Sequence, residues 1–346
     1  MRAIVVDSFG APDVLKIQNL PDPTPPPGGY VVQVVASSIN YADVVERRGL
    51  YKKDQKLPSR LGKEGAGVVV ARDCDAVQFE VGDPVIIVAP SGGCYAERVA
   101  VEAYEVLQPP SGFSFVEMAS FAIAYSTAWY GMFQIANVRR GEAVLIQAAA
   151  GGLGTAAIDL ARSSGCGLVI GTAGGPAKCA LAERRGADAC IDYTAVDFRP
   201  TVLELTRDEG VDYCLESVGG ETYSRSLDVI APLGHMVIVG FSSVGADYAR
   251  EIHRLHPLTV FQRSISVGGL NLENLAFMRR RDIWNELVAH VEEHAIHPLV
   301  TQAYPFDQIR EAHEALETRQ TTGKVALIMD PQAYDVPVTR ARAMLV

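Results

Sequence analysis

A chain of 346 residues has room for two domains or one large one, and 48% hydrophobic with 21% charged residues is ordinary for a soluble globular protein. The formal net charge of −10 argues against nucleic acid as a partner, because phosphate binding needs a basic face, and reads simply as solubility. No apolar run reaches the roughly 18 residues that span a bilayer; residues 115–136 come closest and are interrupted by Glu117, so no integral membrane segment is expected.

The chain opens Met1-Arg-Ala-Ile-Val-Val and reaches Asp7 at once, which reads as a strand and not a signal peptide, and a cytoplasmic protein is expected. Strand-like runs cover 3–7, 30–37, 67–71, 84–88 and 95–101, separated by the proline cluster 21–27 and the pairs Gly28-Gly29 and Gly92-Gly93. Up to about Gln108 this predicts a small, mostly antiparallel, barrel-like domain. Ser114-x-x-Glu117 is a capping box that starts an apolar helical region.

From there strands are expected to begin near Ala143, Leu168, Ala189, Val211, His235 and Ser264, with helices over 155–164, 177–185, 201–208 and 222–230. Strand and helix alternating at this spacing predict a parallel sheet with right-handed crossovers, and six strands is the count of a full dinucleotide-binding sheet. Its first strand runs straight into Ala149-Ala-Gly-Gly-Leu-Gly154 and then a helix. That is a G-x-G-x-x-G turn with alanine at the first glycine. Gly151 lets backbone approach a pyrophosphate, Gly154 lets helix pack on strand, and free N–H groups at the helix start face the phosphates. From Glu273 two more helices, a strand near Val300 and a last strand over 324–329 are expected to return to the first domain.

An NAD site places an acid at the end of the second strand, on the ribose 2′-hydroxyl. Here that strand ends Thr172-Ala-Gly-Gly-Pro-Ala-Lys178, without an acid but with a base that would neutralise a 2′-phosphate, so the expected cofactor is NADPH. A catalytic zinc needs three Cys, His or carboxylate ligands and an open position. All seven histidines lie in the last third of the chain, and the first domain offers only Cys74, in what reads as an exposed turn, and Cys94. His290, His294 and His297 read as a solvated helix face. Of the six cysteines none forms a C-x-x-C pair; buried free thiols are expected. Without ligands for a Lewis acid, the chemistry that remains is hydride delivery to an already electron-poor double bond, in a quinone or a carbonyl-conjugated alkene.

The segments Asn40-Tyr-Ala-Asp43 with Arg48-Gly-Leu-Tyr51, Leu61-Gly-Lys-Glu-Gly-Ala-Gly67, Val81-Gly-Asp83, 148–154, Ile191-Asp-Tyr193, Ser217-Val-Gly219 and Thr322-Gly-Lys324 occur together and in order. In them the chain resembles a zinc-free medium-chain dehydrogenase/reductase of the quinone oxidoreductase family, and within it the vesicle amine transport protein-like branch. The resemblance spans residues 1 to about 330. It implies a GroES-like β-rich catalytic domain over 1–120, completed by 271–330, a Rossmann doubly wound α/β domain over 121–270, a tail over 331–346 and a homodimer formed through the Rossmann sheets. It also implies cofactor contacts at Asn40, Thr127, Ala150, Gly151, Gly152, Leu153, Gly154, Thr172, Lys178, Tyr193, Ser217, Gly240, Phe241, Ser242, Leu270, Asn271 and Lys324. Asn40 and Tyr51 are the catalytic candidates: a phenol can hydrogen-bond or protonate the enolate that hydride addition creates. Lys63 stands where zinc relatives carry a histidine, and pairing with a nearby carboxylate is its expected role; Glu64 is expected to accept backbone hydrogen bonds. The resemblance leaves three functions open: a quinone or enone reductase, an enoyl-thioester reductase whose pantetheine arm would pass Arg47, Arg48, Lys52 and Lys53, and an NADPH-binding protein without turnover.

Overall fold

The computed structural model describes residues 1–51, 55–243, 255–275 and 277–332, with the backbone alone at 277. Lys52, Lys53 and the tail from 333 onward lie outside the described residues. The chain divides into two compact units, Met1–Ile123 with Glu273–Val346, and Ala124–Leu272.

The first unit begins with β1 (Arg2–Val6) and β2 (Leu15–Asn19), an antiparallel pair. Then come β3 (Tyr30–Ile39), α1 (Tyr41–Arg47), β4 (Glu64–Arg72), β5 (Pro84–Val88), β6 (Arg98–Val101), β7 (Val106–Leu107) and α2 (Phe115–Ala119), followed by α3 (Ala122–Trp129), which carries the chain into the second unit. The strand expected over 95–101 is shorter than its apolar run because residues 95–97 pair elsewhere: Ile4 donates to the Tyr95 carbonyl and Glu97 to that of Arg2. The Ser114–Glu117 capping box forms, each residue serving the other's backbone N–H.

In the second unit β8 (Ala143–Ile146), α4 (Gly152–Ser163), β9 (Leu168–Ala173), α5 (Pro176–Arg185), β10 (Ala189–Asp192), α6 (Phe198–Leu205), β11 (Val211–Glu216), α7 (Gly220–Asp228), β12 (Ile230–Ile238), α8 (Pro257–Arg263) and β13 (Ser266–Gly269) alternate as expected. They form one all-parallel sheet in the order β10-β9-β8-β11-β12-β13. The order reverses between β8 and β11, and ligands of such sheets bind at that switch point, beyond the carboxyl ends of the strands. Two boundaries differ from expectation. α6 starts at Phe198, where the Asp197 carboxylate caps the Arg199 N–H, and stops before Arg207 and Asp208, whose φ angles are positive. α7 ends at Asp228, and Ile230 already belongs to β12, whose second half is the strand expected near His235.

The chain then returns to the first unit through α9 (Leu272–Leu275), α10 (Arg281–Glu293), β14 (Val300–Pro305), α11 (Ile309–Glu317) and β15 (Lys324–Ile328). β15 adds antiparallel to β3, giving a seven-stranded sheet in the order β14-β15-β3-β4-β5-β7, with β6 also paired to β3. Ile4, Val32, Val34, Ile87, Tyr95 and Leu327 sit in its core; Leu145, Ile170, Phe198, Val202 and Met236 sit in that of the second unit. Among the described residues no helix is long and apolar enough to cross a membrane.

Candidate functional site

In the second unit the chain leaves β8 through Gln147 and Ala148, the latter at φ 52, and enters α4 at Gly152. A Cβ on Gly154 would fall 2.4 Å from the Ala148 carbonyl oxygen and 2.6 Å from the Ala149 Cα, so only glycine lets α4 start this close to the strand. No side chain caps α4 and no acid lies in its first turn. Its opening N–H groups, on Gly152, Leu153 and Gly154, therefore form a cradle suited to a pyrophosphate, with Ala150 and Gly151 as the loop before it.

Several other expected cofactor residues lie at the carboxyl ends of the same strands. Ser217 follows β11, and its carbonyl accepts the Ser242 N–H at 3.1 Å, which ties it to the Gly240-Phe241-Ser242 segment after β12. Leu270 and Asn271 follow β13, with the Leu270 N–H on the Ile238 carbonyl at 2.9 Å. Thr127 is half-buried on α3. Lys178 is half-buried in the first turn of α5, and the Tyr193 hydroxyl stands 3.1 Å from where a Cβ on Gly174 would be. Asp192, at the end of β10, accepts the Gly175 and Thr194 N–H groups, each at 3.0 Å, and the Thr194 hydroxyl on its Oδ1.

Thr172 is fully buried, and its hydroxyl donates to Gln147 Oε1. Gln147 Nε2 donates to Ser226 Oγ at 3.0 Å, and Ser226 donates to Glu216 Oε2 at 2.9 Å. Glu216 is fully buried and its other oxygen accepts the Val218 and Gly219 N–H groups. Burial holds its carboxyl above the usual range against these donors. Sequence reasoning missed this network, which underlies the ends of three strands from behind the loop.

In the first unit two charged clusters flank the start of β4. Glu64, fully buried, accepts Asn40 Nδ2 at 3.0 Å and Lys324 Nζ at 2.8 Å on Oε1, and the Ile123 N–H at 2.9 Å on Oε2. Lys324 closes the triangle by donating to Asn40 Oδ1 at 2.7 Å. Both expected residues, Asn40 and Lys324, are thus fixed by Glu64. Beside them Asp43 accepts the Asn40 N–H at 2.9 Å and the Gly62 N–H at 3.2 Å. Burial raises its carboxyl to about 6 although Lys63 opposes the shift.

Lys63 forms the second cluster. Its ammonium meets Glu46 Oε2 at 2.8 Å, Glu273 Oε1 at 2.9 Å and the Pro90 carbonyl at 3.2 Å, which is the carboxylate pairing expected of it. Burial alone would depress it, but the two carboxylates outweigh that and hold it above the ordinary lysine value. The Tyr51 hydroxyl donates to the same Glu273 Oε1 at 3.1 Å, and the ammonium stands 4.7 Å from the centre of the Tyr51 ring. Burial and the Glu273 charge push the phenol well above its usual value and keep it protonated.

The description of one family model matching this chain is "Alcohol dehydrogenase GroES-like domain", over residues 26–122, and of another "Zinc-binding dehydrogenase", over 185–327. The synaptic vesicle membrane protein VAT-1 homolog of Rattus norvegicus is 30% identical over 96% of this chain and 85% of its own. The quinone oxidoreductase-like protein 2 homolog of Nematostella vectensis is 31% identical over 94% of this chain and 88% of its own. The structure of Escherichia coli quinone oxidoreductase complexed with NADPH superposes with a TM-score of 0.86 at 29% identity, covering 95% of this chain and all of that one. A GroES-like unit joined to a parallel dinucleotide-type sheet defines an oxidoreductase. The chain belongs to the medium-chain dehydrogenase/reductase family, among its quinone oxidoreductase-like members.

The zinc in one model's description does not fit the residues present. Among the described residues the close grouping of ligand types is Asp73, Cys74 and Asp75, in a largely exposed turn. There Asp73 Oδ1 already serves the Gly28 and Asp75 N–H groups, at 2.9 and 3.1 Å. His294 Nδ1 lies on the His290 carbonyl and His297 on Glu117, along an outer helix and the turn after it.

Proposed function

We propose that this protein is an NADPH-dependent, zinc-independent reductase that delivers hydride to an α,β-unsaturated carbonyl or a quinone. The observation that carries the cofactor choice is the end of β9: residues 172–178 include no acid for a ribose 2′-hydroxyl, while Lys178 stands in the first turn of α5 and the Tyr193 hydroxyl faces Gly174. In this reading the N-terminus of α4 and residues 150–154 hold the pyrophosphate, and Lys178 and Tyr193 hold the 2′-phosphate, with Thr172 supporting the loop from beneath. Thr127, Ser217, Gly240, Phe241, Ser242, Leu270, Asn271, Asn40 and Lys324 serve the nicotinamide half, and the bound nicotinamide supplies the hydride. Replacing Lys178 by alanine is expected to raise KM for NADPH about tenfold and leave KM for NADH within about twofold. An unchanged NADPH KM sinks the assignment.

Tyr51 is the acid candidate. A phenol kept protonated beside the substrate can hydrogen-bond the developing enolate oxygen or protonate the enolate. The same group would serve an enoyl thioester, so turnover of NADPH and NADH against quinones, enones and enoyl thioesters separates the substrate classes. NADPH binding without oxidation across that panel would leave a non-catalytic binding protein instead. A homodimer formed through the parallel sheets belongs to the same reading. It is supported by β13, which stands at the edge of the parallel sheet among the described residues, and by the exposed Leu233 on β12 and Phe261 on α8. Light scattering is expected to give twice the chain mass, and Phe261→Glu to weaken that association; a monomer at micromolar concentration contradicts it.

A further inference from the structure

One oxygen in the first unit serves two donors of different kinds. Glu273 Oε1 accepts from Lys63 Nζ at 2.9 Å and from the Tyr51 hydroxyl at 3.1 Å. The ammonium cannot wander, because Glu46 Oε2 and the Pro90 carbonyl hold it from other sides and it is buried. The carboxylate is in turn fixed by charge-assisted bonding to a fixed cation, which gives the phenol an anchored partner in place of a solvated one. Lys63 and Tyr51 flank the start of β4 and the end of α1, whereas Glu273 arrives on α9, 210 residues after Lys63. The sheet uses only the backbone of Lys63, whose carbonyl accepts the Ala89 N–H at 2.8 Å, and leaves its side chain to this arrangement.

We propose that Lys63, acting through Glu273, is a positioning residue that holds the Tyr51 hydroxyl for proton delivery to the enolate. This rests on the reading of Tyr51 as the acid in reduction of an α,β-unsaturated carbonyl. In that reaction a hydride adds to the β-carbon and the C=C π pair moves to form the enolate. The Tyr51 O–H then turns from Glu273 toward the α-carbon and breaks, its proton bonds there, and the phenolate left behind takes a proton from water. The ammonium 4.7 Å from the ring centre offsets part of the phenolate charge while it lasts. Reduction of a quinone leaves oxygen anions that water protonates directly, so it makes no comparable demand on Tyr51 or on the residues behind it.

The test is a double-mutant cycle read as kcat and KM with saturating NADPH, on cyclohexenone and on naphthoquinone. Tyr51→Phe is expected to lower kcat for cyclohexenone about a hundredfold with KM within about twofold. Lys63→Met and Glu273→Gln are each expected to lower it about tenfold, and to lower it less than about twofold further when Tyr51→Phe is already present. Naphthoquinone turnover is expected to fall at least about tenfold less than cyclohexenone turnover in Tyr51→Phe, and less than cyclohexenone turnover in the other variants. Equal losses with and without Tyr51→Phe, or equal losses on both substrates, overturn the proposal, because a merely structural role would produce them. An impaired Tyr51→Phe beside unimpaired Lys63→Met and Glu273→Gln overturns it alone. An unimpaired Tyr51→Phe overturns the acid role of Tyr51 itself. Lys63→Met leaves two facing carboxylates; if it does not fold, Glu273→Gln, which keeps the Lys63–Glu46 pair, carries the same cycle.

Discussion

Glu64 is a carboxylate without solvent exposure, and it is tolerable only because donors surround it: the Lys324 ammonium, the Asn40 amide and the Ile123 N–H. A buried pair of this kind is weak evidence for net stability, but breaking it from one side is costly because a charge is then stranded. Lys324→Met is therefore expected to destabilise the protein by about 3–5 kcal/mol in urea unfolding. Adding Glu64→Gln, which removes the stranded charge, should recover more than about 1 kcal/mol of that loss. Additive losses in the double variant would show that the pair is not coupled as the distances imply. The same triangle bears on function, since Asn40 Oδ1 and Nδ2 are both held within it. A cofactor contact made by Asn40 must therefore use the amide hydrogen and the carbonyl lone pair that the triangle leaves over.

At the scale of elements, what was legible in the sequence follows from how local the signal is. The six strands of the parallel sheet are short apolar runs ending in glycine or polar turns, and their alternation with helices is written in the chain itself. The loop 149–154 is equally local, because Gly154 is demanded by Ala148 and Ala149, its immediate neighbours. β2 was illegible because only Leu15 of its five residues is buried, and β7 because it is two residues long. The charged clusters were illegible for the opposite reason. Lys324 lies 284 residues from Asn40 and 260 from Glu64, and no periodicity reports such a meeting. Lys63 carried a partial signal, its place where zinc relatives carry a histidine, next to Glu64. That suggests a carboxylate partner without saying that Glu273 would supply it or that Tyr51 would share the oxygen.

At the scale of the whole molecule, His313 and Asp43 of the first unit are two of the buried groups that make stability depend on pH. Arg47, fully buried on α1, donates to Glu317 on α11 at 2.5 Å and to the Gly10 carbonyl at 3.1 Å, and it lies 3.4 Å from His313 Nδ1. Burial, with the Arg47 charge second, pushes His313 down to about 3, so the fold requires it neutral. The unfolded chain takes up that proton below about pH 6.5, the ordinary imidazole value. The His313 contribution is thus complete above that pH and falls as pH drops toward about 3. Asp43 works in the other direction: raised to about 6 by burial, its contribution is complete below the ordinary carboxylate range and is lost as pH rises through about 6. The two oppose each other between pH 5 and 6, so wild-type stability alone cannot isolate either. Comparing wild type with His313→Gln does, because Asp43 is common to both. The stability difference between them at pH 7 should shift by about 2 kcal/mol toward the variant at pH 5, at about 1.4 kcal/mol per pH unit below 6.5. A difference that is the same at both pH values would mean that His313 takes up its proton in the fold as readily as in the unfolded chain, and that neither burial nor the Arg47 charge holds it neutral.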